Sequence, residues 1–370
     1  MTQLLTHGTL DYAEVAALGF RPEELIVFSS NINPYGPPPA VVTAVQQAMT
    51  GELMARYPDR LSLDLRRALA EHHAVPEAAV LVGNGTADIL WLIALLYAAR
   101  QSVVVMEPTF GEYAYAVTLV GAEIKKVCHP GWVFEAGRYA PGATTLAATA
   151  ETLARLSPKV VFICNPNNPT GHYLSPEELQ TLHAAAPAAL WVVDEAYAEF
   201  AAEPWSAIGW IAQGRWLILR SLTKDFALGG LRLGYAVASP DLIAPLQQAQ
   251  SPWNVNAVAQ VAGQVALTQV AWRTETLARL RHDQANLCAA LRHQGFYPLP
   301  TTTNYFLMLA PNPPVTRAVL LQERLMVRDC TSFGLPDYIR IATQLPAQNA
   351  LLVEALARHL LRVAAPMQTR

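Results

Sequence analysis

Residues 160–197 read VVFICNPNNPTGHYLSPEELQTLHAAAPAALWVVDEAY, and the fold is decided here. Val160 to Cys164 is an unbroken apolar run. It ends in Asn165-Pro166-Asn167-Asn168-Pro169-Thr170-Gly171, a breaker cluster that no regular element accommodates. A helical segment follows over Pro176–Ala185, and a second apolar run, Leu190 to Val193, closes on Asp194. Short runs that are apolar throughout, without alternation, suit strands buried on both faces of a parallel sheet.

The same rhythm extends in both directions. Val80–Val82, Val103–Met106 and Trp216–Leu219 read as further strands, with helices near Ala87–Ala99, Gly111–Val120 and Ala147–Leu156. Two helices precede them, over Pro37–Met49 and Leu61–His72. Strand-helix alternation predicts an α/β domain whose mostly parallel sheet is sandwiched by helices, with ligands at the carboxyl ends of the strands. After Asn256 one long helical pattern runs to about Gln294. Strands at Tyr305–Leu309, Leu325–Arg328 and Tyr338–Ile341 and a helix from Ala347 to about Val363 then predict a smaller α/β domain. Leu25–Asn33 is expected to pack on it. The expected division is residues 1–36 as an N-terminal segment on the small domain, 37–265 as the large domain and 266–370 as the small one.

With 370 residues and 52% hydrophobic composition, the chain can bury more than one core. A formal charge of -3, from 26 basic and 29 acidic residues, leaves no broad cationic surface, so nucleic acid and anionic membrane are not expected partners. The longest apolar run, Ile89 to Ala99, is about half of the ~20 residues that span a bilayer. Met1–Asp11 lacks the features of a signal peptide, so the expected location is the cytoplasm. Cys128, Cys164, Cys288 and Cys330 are widely spaced, with no paired spacing for a disulfide framework or a metal. Only four basic residues are lysines, Lys125, Lys126, Lys159 and Lys224, which draws attention to the last.

Four motifs fall at predicted strand ends. Gly83-Asn84-Gly85-Thr86 lies between a strand and a helix, where backbone N-H groups and the helix dipole favour a phosphate; alone it fits a structural turn equally well. The Asn165–Gly171 loop reads either as an ordinary connection or as part of a site. Asp194 brings a carboxylate to the mouth of a buried strand, where it calls for a cationic partner. Arg220-Ser221-Leu222-Thr223-Lys224, followed by Arg232 in a Gly-rich stretch, groups hydroxyls and an arginine around one amine. Together they ask for a ligand carrying a phosphate, a protonated ring nitrogen and an aldehyde. Pyridoxal 5'-phosphate has all three.

The ordered set Asn33–Pro37, Arg56–Asp59, Gly83–Gly85, Pro108–Phe110, Asn165–Gly171, Asp194–Tyr197, Ser221–Lys224 and Arg232 resembles the class I/II aminotransferase family of fold-type I pyridoxal-phosphate enzymes. The resemblance implies that Lys224 carries the cofactor and shuttles the proton, Asp194 pairs with the ring nitrogen, Asn168 and Tyr197 bond the ring hydroxyl, and Phe110 stacks on the ring. It gives the cofactor phosphate to the backbone of Gly85, Thr86 and Ala87, to Ser221, Thr223 and Arg232, and to Tyr57 reaching from a second subunit. A homodimer with shared active sites follows. Arg340 would grip the carboxylate of a small amino-acid substrate. Arg328, Asn31 and His7 are candidates for an anionic tail, with a structural salt bridge the other reading of Arg328 and a surface position that of His7.

Two branches of the family are similar to this chain. His7-Gly8, Phe28–Pro34, Pro252–Asn256, Val327–Cys330 and Tyr338–Arg340 resemble the L-threonine-O-3-phosphate decarboxylases of cobalamin synthesis. Tyr197 and Gly229–Arg232 look more like the histidinol-phosphate aminotransferases. The expectation is the decarboxylase, with the aminotransferase as the alternative. A transcriptional regulator built on the same fold is disfavoured, because the recognised motifs begin by residue 28 and no basic face accompanies them.

Overall fold

The computed structural model describes residues 10–359. Its centre is a seven-stranded sheet: β2 (Val80–Gly83), β3 (Ser102–Glu107), β4 (Glu123–Cys128), β7 (Val160–Cys164), β8 (Leu190–Asp194), β9 (Trp216–Ser221) and β10 (Gly234–Ala238). They lie in the order β2-β10-β9-β8-β7-β3-β4, parallel except for β10, which runs against both its neighbours. Remaining strands are β1 (Ile26–Val27), β5 (Trp132–Glu135), β6 (Arg138–Pro141), β11 (Tyr305–Leu309), β12 (Leu325–Met326), β13 (Arg328–Asp329) and β14 (Tyr338–Ala342).

Both faces of the large sheet are covered, which is why its inner strands carry apolar runs without alternation, with polar residues at their ends. Alternate residues feed two cores. Val104, Val161, Ile163, Trp191, Val193 and Ile218 meet the helices Leu63–His73, Leu146–Leu156, Pro176–Ala185 and Ala257–Leu267 on one side. Val103, Val105, Phe162, Val192 and Leu219 meet Thr86–Ile93, Glu112–Leu119 and Pro240–Ala249 on the other. Two strands of this sheet escape the sequence reading. β4 is a charged edge strand with Glu123, Lys125 and Lys126, a composition that protects an edge and hides the strand. β10 begins on Gly234, directly after the Gly-rich loop, and reads as its continuation.

A three-stranded antiparallel sheet, β11-β14-β13, forms the second layer system with the helices Pro313–Gln322 and Pro346–His359. β1 pairs in parallel with β12, and Phe28 is buried with Phe306, Val327, Ile339 and Ile341. The expected single helix from Asn256 to Gln294 is two helices, Ala257–Leu267 and Val270–His293. Thr268 and Gln269 separate them without any Gly or Pro. The first half packs on Pro39–Ala48 and Leu63–His73, the second on Pro346–His359, so packing on different neighbours sets the break. The hairpin β5–β6, also unforeseen, turns through Ala136 and Gly137, both at positive φ, and seats Trp132 and Tyr139 against Leu307, Phe333 and Tyr338.

Candidate active site

The site lies where β3, β7, β8 and β9 end. Asp194, the last residue of β8, is buried, and its carboxylate has two donors: the Ala196 N-H at 3.0 Å and the Tyr113 hydroxyl at 2.7 Å. The cationic partner expected from sequence is not supplied as an ion pair among the described residues. Burial pushes the Asp194 carboxyl up, opposed by those two hydrogen bonds and by the charge of Lys224.

Lys224 sits just beyond β9, and its carbonyl accepts from the Asn33 N-H at 2.9 Å. Burial, reinforced by Arg232 and Arg340, lowers its ammonium to about 8. An amine of that kind is available in neutral form near physiological pH. Below it Ser221 and Thr223 share a hydroxyl-hydroxyl hydrogen bond of 2.7 Å. Arg232 lies over the loop from β2. A Cβ on Gly85, where φ is +78°, would stand 2.6 Å from Nη2 of Arg232. Backbone and guanidinium therefore approach closely only because residue 85 is glycine.

The asparagines of the Asn165–Gly171 loop divide the work. Asn165 bonds the Leu174 backbone in both directions, and Asn167 bonds the Pro108 carbonyl, Thr170 and Thr109. These two brace the loop. Asn168 faces the cavity, its Oδ1 accepting from Nη1 of Arg340, whose Nη2 donates to the Ser29 carbonyl at 2.7 Å. Tyr197 OH accepts from Asn31 Nδ2 at 3.3 Å. Arg328 stands opposite Arg340 in the β13–β14 register and donates to Ser332 Oγ at 2.7 Å. Burial first, then the like charge of Arg340, lowers the Arg328 guanidinium to about 10.

These groups surround two adjoining cavities. The smaller, of about 130 Å³, is lined by Gly85, Thr86, Ala87, Phe110, Asp194, Ser221, Thr223 and Lys224 among others. The larger, of about 570 Å³, reaches Asn31, Arg328 and Arg340 and shares Ala87, Phe110, Asn168, Tyr197, Lys224 and Arg232 with the first. Tyr57 is outside both. It is 79% exposed and stacks on Trp253, beside a separate surface groove. His7 lies outside the described residues. Sequence reading missed Ser29, Ser332 and Phe333 in the larger cavity and Tyr113 and Cys164 in the smaller. Arg220, next to Ser221 in the same motif, turns to the far face and pairs with Glu195 at 3.0 Å and with Glu199. No cluster of metal-ligating side chains occurs among the described residues, and no helix among them is long and apolar enough to cross a membrane.

The family profile described as aminotransferase class I and II matches residues 23–358. The chain belongs to that family. This aminotransferase-family chain is 36% identical over 337 residues to the histidinol-phosphate aminotransferase of Symbiobacterium thermophilum, covering 90% of each. It is 35% identical over 371 residues to the threonine-phosphate decarboxylase of Salmonella typhimurium, covering 97% of each. Among solved structures, it superposes on the histidinol-phosphate aminotransferase from Sinorhizobium meliloti in complex with pyridoxal-5'-phosphate, with a TM-score of 0.82 and 23% identity, covering 96% of this chain and 95% of that one. The fold-type I architecture expected from sequence is the observed one.

Class I/II aminotransferases depend on pyridoxal phosphate, and the donor set fits that group. The smaller cavity brings together a buried carboxylate with no ion pair among the described residues, an amine lowered by burial, two hydroxyls, an arginine and a glycine-opened backbone turn.

Proposed function

We propose that this enzyme decarboxylates a phosphate-bearing amino acid, with L-threonine O-3-phosphate as substrate. Pyridoxal phosphate, when bound, supplies an aldehyde for the substrate amine and a ring that stabilises negative charge at Cα along whichever bond stands perpendicular to it. The chain's own residues choose that bond. Asp194 would hold the ring nitrogen, Asn168 and Tyr197 the ring hydroxyl, and Phe110 would pack on the ring. Gly85, Thr86, Ala87, Ser221, Thr223 and Arg232 would take the cofactor phosphate. Lys224 Nζ would deliver the proton to the substrate's Cα.

The observation that carries the reading is the pairing of two buried guanidiniums, Arg328 and Arg340, in one cavity. L-threonine O-3-phosphate brings two anionic groups to them, carboxylate and phosphate, whereas histidinol phosphate brings one. If Arg328, Ser332 and Asn31 took the phosphate, they would not also hold the carboxylate, which decarboxylation must release. The 97% coverage shared with the Salmonella decarboxylase supports the same choice.

A second reading, transamination of histidinol phosphate to 2-oxoglutarate, is favoured by the 36% identity to the Symbiobacterium enzyme. In it the arginines would serve the two carboxylates of the acceptor. The deciding experiment incubates the cofactor-loaded protein with each substrate and analyses the products by mass. Carbon dioxide and aminopropanol phosphate from L-threonine O-3-phosphate support the decarboxylase. Glutamate from histidinol phosphate and 2-oxoglutarate, with no carbon dioxide in the first vessel, replaces it with the aminotransferase.

The reading includes a homodimer in which the exposed Tyr57 completes the phosphate site of the second copy. Sedimentation gives the oligomeric state. Mixing Tyr57→Phe with Lys224→Ala chains tests the sharing, since only a shared site restores one intact centre per dimer.

A further inference from the structure

We infer that Tyr113 is the positioning residue for Asp194, holding that carboxylate in one orientation for the cofactor ring nitrogen. The inference rests on the cofactor reading of the cavity given above. The chain brings Asp194 no ion pair among the described residues, and although the charge of Lys224 across the cavity also favours the carboxylate, the hydrogen bonds it accepts come from neutral donors. There are two: the Ala196 N-H to Oδ1 at 3.0 Å, and the Tyr113 hydroxyl to Oδ2 at 2.7 Å. The first is set by the main chain just beyond β8. The second is a side chain brought from the helix Glu112–Leu119, 81 residues away in sequence.

Tyr113 is built to do this. It is 1% exposed, stacks on Phe162 of β7 with ring centroids 5.8 Å apart and an interplanar angle of 15°, and meets Phe110 edge-on at 5.6 Å. Packing on both sides stops the phenol from swinging. Its one proton has two acceptors near it, Asp194 and Cys164. The Cys164 thiol is itself directed to the Pro166 carbonyl at 3.2 Å, and the carboxylate, charged and 2.7 Å away, is the stronger acceptor. The titratable groups facing the carboxylate are Tyr113 and Cys164 from the elements packed on it, Tyr197 just beyond β8, and Lys224 across the cavity.

Phe110 lies just before the N-cap Gly111 and Tyr113 in the first turn of the helix Glu112–Leu119, so one short segment supplies the ring that lines the cavity and the hydroxyl that orients the carboxylate. Neither Asp194 nor Phe110 is then independent of the other. Removing the hydroxyl leaves Asp194 with the Ala196 N-H only, free to rotate and easier to protonate. A protonated Asp194 no longer favours a protonated ring nitrogen.

The test compares wild type, Tyr113→Phe and Tyr113→His by titration with pyridoxal phosphate and by pH titration of the bound cofactor's visible band. A hydrogen bond to a charged group corresponds to about one pH unit or more. The Phe variant is expected to bind cofactor about tenfold more weakly, and the pH below which its band collapses should rise by about one unit. The His variant, which keeps an N-H donor, should recover part of both. In an Asp194→Asn background Tyr113→Phe should leave the pH limb unmoved, because no carboxylate remains to be protonated. A Phe variant with affinity within twofold of wild type and an unmoved pH limb, whatever its melting temperature, overturns the inference alone. A wild-type chain with no Lys224-dependent band overturns the cofactor reading and this inference with it. If Tyr113→Phe does not accumulate folded, the His variant and the Asp194→Asn pair decide: a His variant whose pH limb rises equally in both backgrounds overturns it.

Discussion

Gly85→Ala is the substitution whose effect can be worked furthest from the geometry. Gly85 has φ +78° and ψ 167°, backbone territory that is essentially closed to residues with a Cβ. Holding alanine there costs about 1–3 kcal/mol of stability. The new methyl would also stand 2.6 Å from Arg232 Nη2, so the guanidinium must withdraw from above the turn. Arg232 has room to move, but its proposed bond to the cofactor phosphate does not survive the move. Loss of one charge-assisted hydrogen bond weakens binding by about 1.5–3 kcal/mol, which is roughly tenfold to more than a hundredfold in dissociation constant. The assay is an equilibrium titration of cofactor-free protein with pyridoxal phosphate, followed by its visible band, beside a denaturant melt of each cofactor-free chain. The variant should melt at lower denaturant and bind the cofactor at least tenfold more weakly. Binding within twofold of wild type would refute the assignment of Arg232 and the turn to the phosphate.

Lys224→Ala should abolish turnover and the lysine-dependent visible band together, as absorbance and product assays on the same preparation will show. Because burial brings the Lys224 ammonium down to about 8, its neutral fraction grows as pH rises through that value, so cofactor capture by the cofactor-free chain should accelerate to half its maximum near pH 8. Stopped-flow traces with a midpoint near an ordinary lysine's 10.5 would contradict the burial argument. Arg328→Ala should raise KM for L-threonine O-3-phosphate by about tenfold to a hundredfold with cofactor affinity unchanged, since one charge-assisted contact is removed outside the cofactor cavity. Arg220→Ala strands the buried Glu195 and lowers stability by about 3–5 kcal/mol, read as a drop in denaturant midpoint at constant slope; a loss below about 1 kcal/mol would mean that the pair is hydrated.

The site was legible wherever its residues follow a buried strand. Asp194 stands directly after the run Leu190–Val193, and Asn168 and Lys224 lie within a few residues of the runs Val160–Cys164 and Trp216–Leu219; a polar residue in such a place is conspicuous in one dimension. Arg220 shows where local reading stops. It lies beside Ser221, yet successive strand residues point to opposite faces, so Ser221 meets the cavity while Arg220 meets Glu195 and Glu199. The two arginines of the motif thereby have different duties, and their spacing alone does not tell them apart.

Tyr113 was hidden for another reason. Within Glu112–Leu119 it is one aromatic on a buried helix face, and only the packing of that helix against β7 and β8 brings its hydroxyl to Asp194. Strand β4 was masked by edge charges, and the break at Thr268–Gln269 by the absence of any local breaker. The alternation of buried strands and helices and the polar residues at strand ends are written in short contiguous stretches, and the family in their order along the chain. Packing set the partners of Arg220, the place where the long helical pattern divides, and which hydroxyl supports the buried carboxylate. Those outcomes depend on contacts between segments tens to hundreds of residues apart, where no local propensity records them.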